Sequence, residues 1–316
     1  APRSAEAEAE GARAVRGIFG LDGWEGREDQ MVLALPGPLY HSAPNGWANV
    51  FLRQGASIVL EPKFDAEGLL QVIERRRVTH LLAVPTMFVR LLKLPEAVRS
   101  RYDLSSLKFV MHGAAPCPPQ VKRAMMDWWG PIIWEHYGNT EAGGLTLCSP
   151  EEWLAKPGTV GKLMADCHIR LLDEEGRDVP QGQPGEILGW RTSHSDFTYH
   201  NDPEKRSKAE KVPGLIALGD VGWFDADGYL FLSGRSTDMV ISGGVNIYPA
   251  EIEAELIRMP GVADCAVFGV PDEEFGEQLL AVVQPEPGAE IAAADVQGFI
   301  RSKMAGYKAP KRVEFQ

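Results

Sequence analysis

The sequence predicts an α/β protein in three regions: a parallel-sheet βαβ region over residues 1–150, a small β-rich region over 151–234, and a compact α+β region over 235–316. Three observations carry this reading. Up to Trp134, short apolar runs alternate with longer amphipathic stretches, which is the pattern of βαβ units. After Pro150 the runs shorten and become turn-separated, with DADG at 225–228 a hairpin signal. Past Gly234, strands and helices alternate again in a segment of ordinary globular composition.

In chain order, residues 4–18 are rich in Ala and Glu and predict a helix. Residues 31–35 are an apolar run, read as a buried strand. They lead into a loop of Gly37, Pro38, Leu39, Tyr40 and His41. Residues 45–53 read as a helix closed by Gly55. Ser57–Leu60 is a strand, and Asp65 is a good N-cap for a helix through Arg75. Residues 79–84 form the next strand, after which Pro85 opens a helix carrying Met87 to Leu92. Residues 107–111 are a strand, followed by the turn HGAAPCPP and a helix through Trp128; residues 132–134 close the series. Beyond Pro150, strands are expected at 168–172 and 186–190, with a turn at 173–177, and at 222–224 and 229–232. In the last region, strands over 239–241, 266–270, 279–283 and 312–315 accompany a helix from Pro249 through Ile257 and another over 295–304.

The 316 residues suffice for about two domains. A net charge of −12 disfavours nucleic acid or an anionic membrane as a general partner. Cys117, Cys148, Cys167 and Cys265 are scattered, with no CxxC pair and no His at zinc spacing, so free thiols in a reducing cytoplasm are expected. No apolar run approaches the length of a membrane span. The opening APRSAEAEAEGARA is acidic and Ala-rich, unlike a signal peptide. It starts as if within a helix, and further sequence before Ala1 is expected.

The chemistry concentrates in WEHYGNTEAGG, residues 134–144. In α/β proteins, ligands bind where the carboxyl ends of parallel strands meet loops. A loop there of Tyr137, Gly138, Asn139, Thr140 and Glu141 has the parts for a nucleotide. The ring can stack on a base, and the Gly lets backbone come close. The hydroxyl can donate to a phosphate oxygen, and the carboxylate can hold Mg²⁺ beside it. A strand-end turn with a helix-capping Thr satisfies the same five residues.

The YGNTE of 137–141, the ALGD of 217–220 and the GRSTDMVISGGVNIYPAEIE of 234–253 together resemble the adenylate-forming (AMP-binding) superfamily. More narrowly, they resemble a bacterial acyl-CoA synthetase for fatty-acyl or aryl acids. The motifs recur in the family's order along nearly the whole chain. The resemblance implies that residues 1–150 are the α/β part of an incomplete AMP-binding large domain. Residues 151–234 would be its β-rich subdomain and 235–316 a mobile C-terminal domain. It implies two steps. A carboxylate attacks the α-phosphate of ATP and expels pyrophosphate; the thiol of CoA then displaces AMP. ATP, Mg²⁺, CoA and a carboxylic acid are therefore expected as partners, and a homodimer is a further expectation. The alternatives are an enzyme that loads a carrier-protein thiol and a non-catalytic nucleotide-binding fragment.

On this resemblance, Thr140 contacts the AMP phosphate and Glu141 binds Mg²⁺. Gly113, Ala114, Ala115 and Pro116 lie against adenine with Tyr137 on its other face, and His136, Gly138 and Asn139 complete the nucleotide site. Asp220 accepts from the ribose hydroxyls, and Arg235 donates to ribose or phosphate. Asp238 matches the hinge between the adenylating and thiol-transferring states. Ser242, Gly243 and Gly244 match the loop that flanks the CoA pantetheine arm. His41 resembles the gate of the acyl pocket and joins Thr140 and Glu141 as a catalytic candidate. Trp47, Val84, Met87 and Phe88 line that pocket or belong to the core. Amino-acid-activating relatives place an Asp near His41 to pair the substrate ammonium; Ser42 and Ala43 follow here, which favours a plain acyl or aryl acid. GAAP serves equally as a tight strand-to-helix turn, and Ser242 to Gly244 as a glycine turn. The cluster of Lys308, Lys311 and Arg312 would meet CoA phosphates or be a solvated face.

Two elements of the resemblance are not within the sequence. One is the Ser/Thr/Gly-rich phosphate loop ending in Pro-Lys, expected before Ala1. The other is the catalytic Lys, expected after the YKAPKRVEF of 307–315. Both are expected beyond the termini, and without them the fragment should adenylate poorly.

Overall fold

The computed structural model describes residues 16–316. The helix expected over residues 4–18 lies outside them through residue 15. Two compact units are present, one of residues up to 170 with 188–218 and 224–231, the other of 171–187, 219–223 and 232–316.

In the first unit the strands are β1 (Val32–Leu35), β2 (Ser57–Leu60), β3 (His80–Ala83), β4 (Phe109–His112), β5 (Ile133–Asn139), β6 (Gly143–Cys148) and β7 (Thr159–Leu163). They lie in the order β2-β1-β3-β4-β5-β6-β7. Pairing is parallel from β2 to β5 and antiparallel from β5 through β7. The helices are α1 (Ser42–Arg53), α2 (Ala66–Arg76), α3 (Pro85–Leu92), α4 (Glu96–Arg99), α5 (Pro119–Trp129), α6 (Pro150–Ala155) and α7 (Pro203–Ala209).

Alternate residues of the parallel strands feed two core layers, as a sheet covered on both faces requires. Ala34, Leu81, Ala83 and Val110 pack with α2, α3 and α5 through Leu70, Ile73, Phe88 and Met125. Leu33, Leu35, Leu82, Phe109 and Met111 pack with α1 through Trp47 and Phe51. Asp65 caps α2 by accepting from Gly68 N at 2.6 Å, and Pro85 occupies the first turn of α3. α1 begins at Ser42, before the expected residue 45, because a first-turn proline at Pro44 costs no helical hydrogen bond.

One expectation is corrected here, and three elements are new. β5 does not stop at Trp134 but runs through Asn139, pairing with β6 as a bulged hairpin. The polar residues after Trp134 continue the strand because their backbone groups find partners on β6. α6, β7 and α7 were not expected. α6 carries a capping box, with Ser149 accepting from Glu152 N and Glu152 from Ser149 N.

Four further strands, β8 (Cys167–Leu172), β9 (Gly185–Arg191), β10 (Ile216–Phe224) and β11 (Leu230–Arg235), each contribute residues to both units. Asp220 lies in the interior of β10.

In the second unit, β12 (Val240–Ser242), β13 (Val245–Ile247), β14 (Val262–Asp272), β15 (Gly276–Pro285) and β16 (Arg312–Phe315) form a sheet of order β13-β12-β15-β14, with β16 parallel on β15. α8 (Pro249–Leu256) and α9 (Ala293–Lys303) cover it through Ile252, Leu256, Val296 and Ile300. The long β14–β15 hairpin overruns the expected strands at both ends. Among the described residues, no helix is long and apolar enough to cross a membrane. The four cysteines are free. Burial pushes the thiols of Cys148, Cys167 and Cys265 up to about 12, which makes them poor nucleophiles.

Candidate functional site

The carboxyl ends of β4 and β5 build the candidate site of the first unit. β4 ends at buried His112, and the turn from Gly113 to Pro116 carries the chain into α5. Ala114 has φ 67°, a left-handed backbone that costs a non-glycine residue about 1–2 kcal/mol. Ala114, Ala115 and Pro116 are exposed. Gly113 is buried against β5, where a Cβ would lie 2.8 Å from the His136 carbonyl oxygen.

Beyond Tyr137 the β5–β6 hairpin closes on a tip of Thr140, Glu141 and Ala142. Gly138 is demanded by this hairpin: a Cβ there would lie 2.1 Å from Gly143 O. The backbone that comes close is thus that of β6. Asn139 Oδ1 accepts from Ala142 N at 2.7 Å and shapes the tip. The Tyr137 ring is only 8 % exposed and offers little free face in this conformation. His136 Nδ1 is buried without a hydrogen-bond partner. Burial pushes that imidazole down to about 4, so it is neutral at pH 7.

Three residues that the sequence did not single out as site residues hold the tip. Ser42 Oγ meets Thr140 Oγ1 at 2.9 Å, which brings the first turn of α1, next to His41, onto the hairpin. His194 Nε2 lies 3.2 Å from Thr140 O. Tyr199 donates its hydroxyl to Glu141 Oε1 at 3.0 Å. Burial, followed by that carboxylate, raises the Tyr199 pKa, so the phenol stays protonated and donating. The stretch SHSDFTYH, residues 193–200, was the available signal, since it concentrates hydroxyls, imidazoles and rings in one loop. Trp190, His194, Phe197 and Tyr199 form a chain of ring contacts there. Long-range contact, not spacing, makes these residues part of the site.

His41 is exposed at the N-cap of α1, its ring 4.6 Å from that of Tyr40. Trp47 and Met87 fall in different core layers, Trp47 beside Phe51 and Met87 beside Phe88, while Val84 is half-buried.

In the second unit, Arg235 Nε lies 3.2 Å from Asp220 Oδ1, so the two ribose candidates face each other across β10 and β11. Asp238 is exposed in the turn after β11 and accepts from Thr237 Oγ1 at 3.0 Å. Ser242, Gly243 and Gly244 form the tip of the β12–β13 hairpin, where Gly243 N donates to Phe275 O at 2.9 Å. The basic cluster is internally engaged: Lys308 pairs with Glu251, Arg312 with Glu314, and Lys311 lies over the Phe275 ring.

Among the described residues, no group of three or more His, Cys, Asp or Glu could hold a metal. At the hairpin tip Glu141, beside Thr140, offers a single carboxylate, and Mg²⁺ commonly takes only one or two protein carboxylates while keeping several waters.

Comparison with known proteins bears on this arrangement. The sequence profile of the AMP-binding enzyme family matches residues 10–193, and that of the AMP-binding enzyme C-terminal domain matches residues 251–316. A feruloyl-CoA synthase of Amycolatopsis sp is 38 % identical over 282 residues, covering 88 % of this chain and 56 % of the relative. An indoleacetate–CoA ligase of Aromatoleum aromaticum is 35 % identical over 308 residues, covering 97 % and 59 %. The chain thus spans somewhat more than half the length of these relatives. Among solved structures, the amide bond synthetase McbA from Marinactinospora thermotolerans superposes with a TM-score of 0.85 at 30 % identity, covering 98 % of this chain and 62 % of that one. ATP-bound MatB from Rhodopseudomonas palustris superposes with a TM-score of 0.82 at 33 % identity, covering 96 % and 59 %.

Proposed function

The chain belongs to the AMP-binding enzyme family, and on that premise we propose that the whole protein is an ATP-dependent acyl-CoA synthetase. It activates a carboxylic acid as its adenylate, releases pyrophosphate, and passes the acyl group to the thiol of CoA. The observation that carries this reading is the hairpin tip of exposed Thr140 and half-buried Glu141 at the carboxyl end of a strand paired in parallel with β4, in a chain of this family. Thr140 offers its hydroxyl to the α-phosphate, and Glu141 would hold Mg²⁺, which neutralises phosphate charge when bound. Phosphoryl-type chemistry needs positioning and charge stabilisation above all. The Ser42, His194 and Tyr199 contacts supply that order at the tip.

The turn from Gly113 to Pro116 lies against adenine in this reading, with His136, Tyr137, Gly138 and Asn139 bordering it. Asp220 and Arg235 serve the ribose, Asp238 is the hinge of a mobile domain over 235–316, and Ser242, Gly243 and Gly244 flank the CoA arm. His41 gates the acid. The feruloyl- and indoleacetate-activating relatives favour an aryl or similarly bulky acid. The amide bond synthetase match supports a second reading for the acceptor alone, an amine in place of the thiol.

The test is incubation of the full-length protein with ATP, Mg²⁺ and a panel of aliphatic and aryl acids, with CoA or an amine as acceptor. AMP and pyrophosphate should appear, with a thioester formed only when CoA is present. Release of ADP would overturn the adenylate mechanism, and amide without thioester would replace the acceptor.

A further inference from the structure

Beneath the candidate site lies a buried set of charged and titratable groups that the proposed chemistry does not use. Lys122 of α5 is 0 % exposed, Glu135 of β5 is 6 % and His112 of β4 is 0 %. Lys122 Nζ donates to Glu135 Oε2 at 2.7 Å. His112 Nε2 stands 3.3 Å from the same oxygen, and the Trp153 ring centroid lies 5.1 Å from the ammonium. Burial opposes the charge on Glu135, but the Lys122 ammonium and the neighbouring imidazole outweigh it and hold the carboxyl below its ordinary value, while burial pushes the His112 pKa down.

A buried ion pair is a poor device for stability alone, because desolvation offsets most of the attraction. Its directional bonds instead favour one arrangement of the elements that carry it. Here those elements are the ones that bear the proposed nucleotide contacts. His112 immediately precedes the Gly113–Pro116 turn, and Lys122 sits on the helix that the turn launches. Glu135 stands two residues before Tyr137 on the strand that leads to Thr140 and Glu141. Gly113 already sits against the β5 backbone, since a Cβ there would lie 2.8 Å from the His136 carbonyl oxygen.

We propose that Lys122, Glu135 and His112 are positioning residues: a buried clamp that fixes the Gly113–Pro116 turn against the β5–β6 hairpin, so that the nucleotide-binding backbone is formed before the ligand arrives. This rests on the proposed function for the identity of the ligand. Neither charge reaches substrate; both act through the turn and the hairpin.

The test uses the full-length protein and AMP as the calorimetric probe, with K122M, E135Q and the apolar double variant K122M/E135M. The clamp predicts that each single variant weakens AMP binding and raises the KM for ATP by about tenfold or more, with the KM for CoA unmoved. The double variant leaves no unpaired buried charge, so its thermal midpoint should recover towards the parent value while its AMP affinity stays low. Recovery of both together would overturn the clamp and leave an ordinary structural pair. So would parent-like AMP affinity in the folded variants. If the single variants do not fold, the double variant decides alone. A parent protein that binds no AMP would instead sink the nucleotide reading, and the clamp with it.

Discussion

Gly138→Ala should damage the hairpin far more than a strand Gly→Ala exchange ordinarily would. A Cβ at residue 138 would lie 2.1 Å from Gly143 O, 2.8 Å from Gly144 Cα and 3.0 Å from Gly143 C. Ordinary contact between carbons begins at about 3.5 Å. All three clashing atoms are backbone, so no rotamer change relieves them. β5 and β6 must part at the bulge, and the Gly138–Gly144 and Asn139–Gly143 pairings go with them. Overpacking costs ~1–3 kcal/mol, and each lost hydrogen bond adds about 1 kcal/mol net. With one bond lost per pairing, a total of roughly 3–5 kcal/mol follows. Urea unfolding followed by tryptophan fluorescence is the assay, with Trp134 on the same strand. At an m-value of about 2 kcal/mol/M, the midpoint should fall by roughly 1.5–2.5 M at unchanged slope. Gly144→Ala is the control, because its added Cβ meets only Met164 Cε at 3.7 Å and His136 Cδ2 at 3.8 Å. It should stay within about 0.5 kcal/mol of the parent. Equal tolerance of the two substitutions would refute the hairpin as the reason for Gly138.

Other predictions concern groups whose environments the fold sets. His80 is fully buried, its Nε2 2.9 Å from Gly20 O, and burial pushes its pKa down to about 4. The unfolded chain takes up that proton near pH 6.5 and the folded one does not. Its contribution is therefore complete above about pH 6.5 and is lost as pH falls towards 4, by about 3 kcal/mol. Denaturant midpoints between pH 7 and 4 should fall less steeply in His80→Gln, and an unchanged slope would assign the acid lability elsewhere. Ala114→Gly should relieve the left-handed strain at φ 67° and raise stability by about 1 kcal/mol, read as a higher thermal midpoint. A lower midpoint would show that the turn is not strained. Tyr199→Phe removes the donor to Glu141 and should raise the Mg²⁺ concentration needed for half-maximal adenylation by about fivefold, the worth of one hydrogen bond. Unaltered Mg²⁺ dependence with a native circular dichroism spectrum would make that bond merely local.

Much of the fold was legible because it is local. Asp65, Pro85 and Pro249 announce helix starts through capping and the fixed φ of proline, and each stands where expected. Largely buried parallel strands read as short apolar runs, as β1 and β3 do. The capping box at Ser149, which starts α6, is equally local. The far half of β5 was not legible in this way. Its residues are polar, and only pairing with β6 makes them a strand.

The candidate site divides along the same line. The α/β class, the family and the residue types at the tip were all readable along the chain, because motifs are sets of neighbours and composition needs no partner. What those residues touch came from folding. Gly138 answers to the β6 backbone, Thr140 to Ser42 and His194, and Glu141 to Tyr199, while Trp47 and Met87 fall on different core layers. It also brought Lys122, Glu135 and His112 together under the site. Each is a common residue without local signal, and a buried charge acquires meaning only through the partner that folding brings to it.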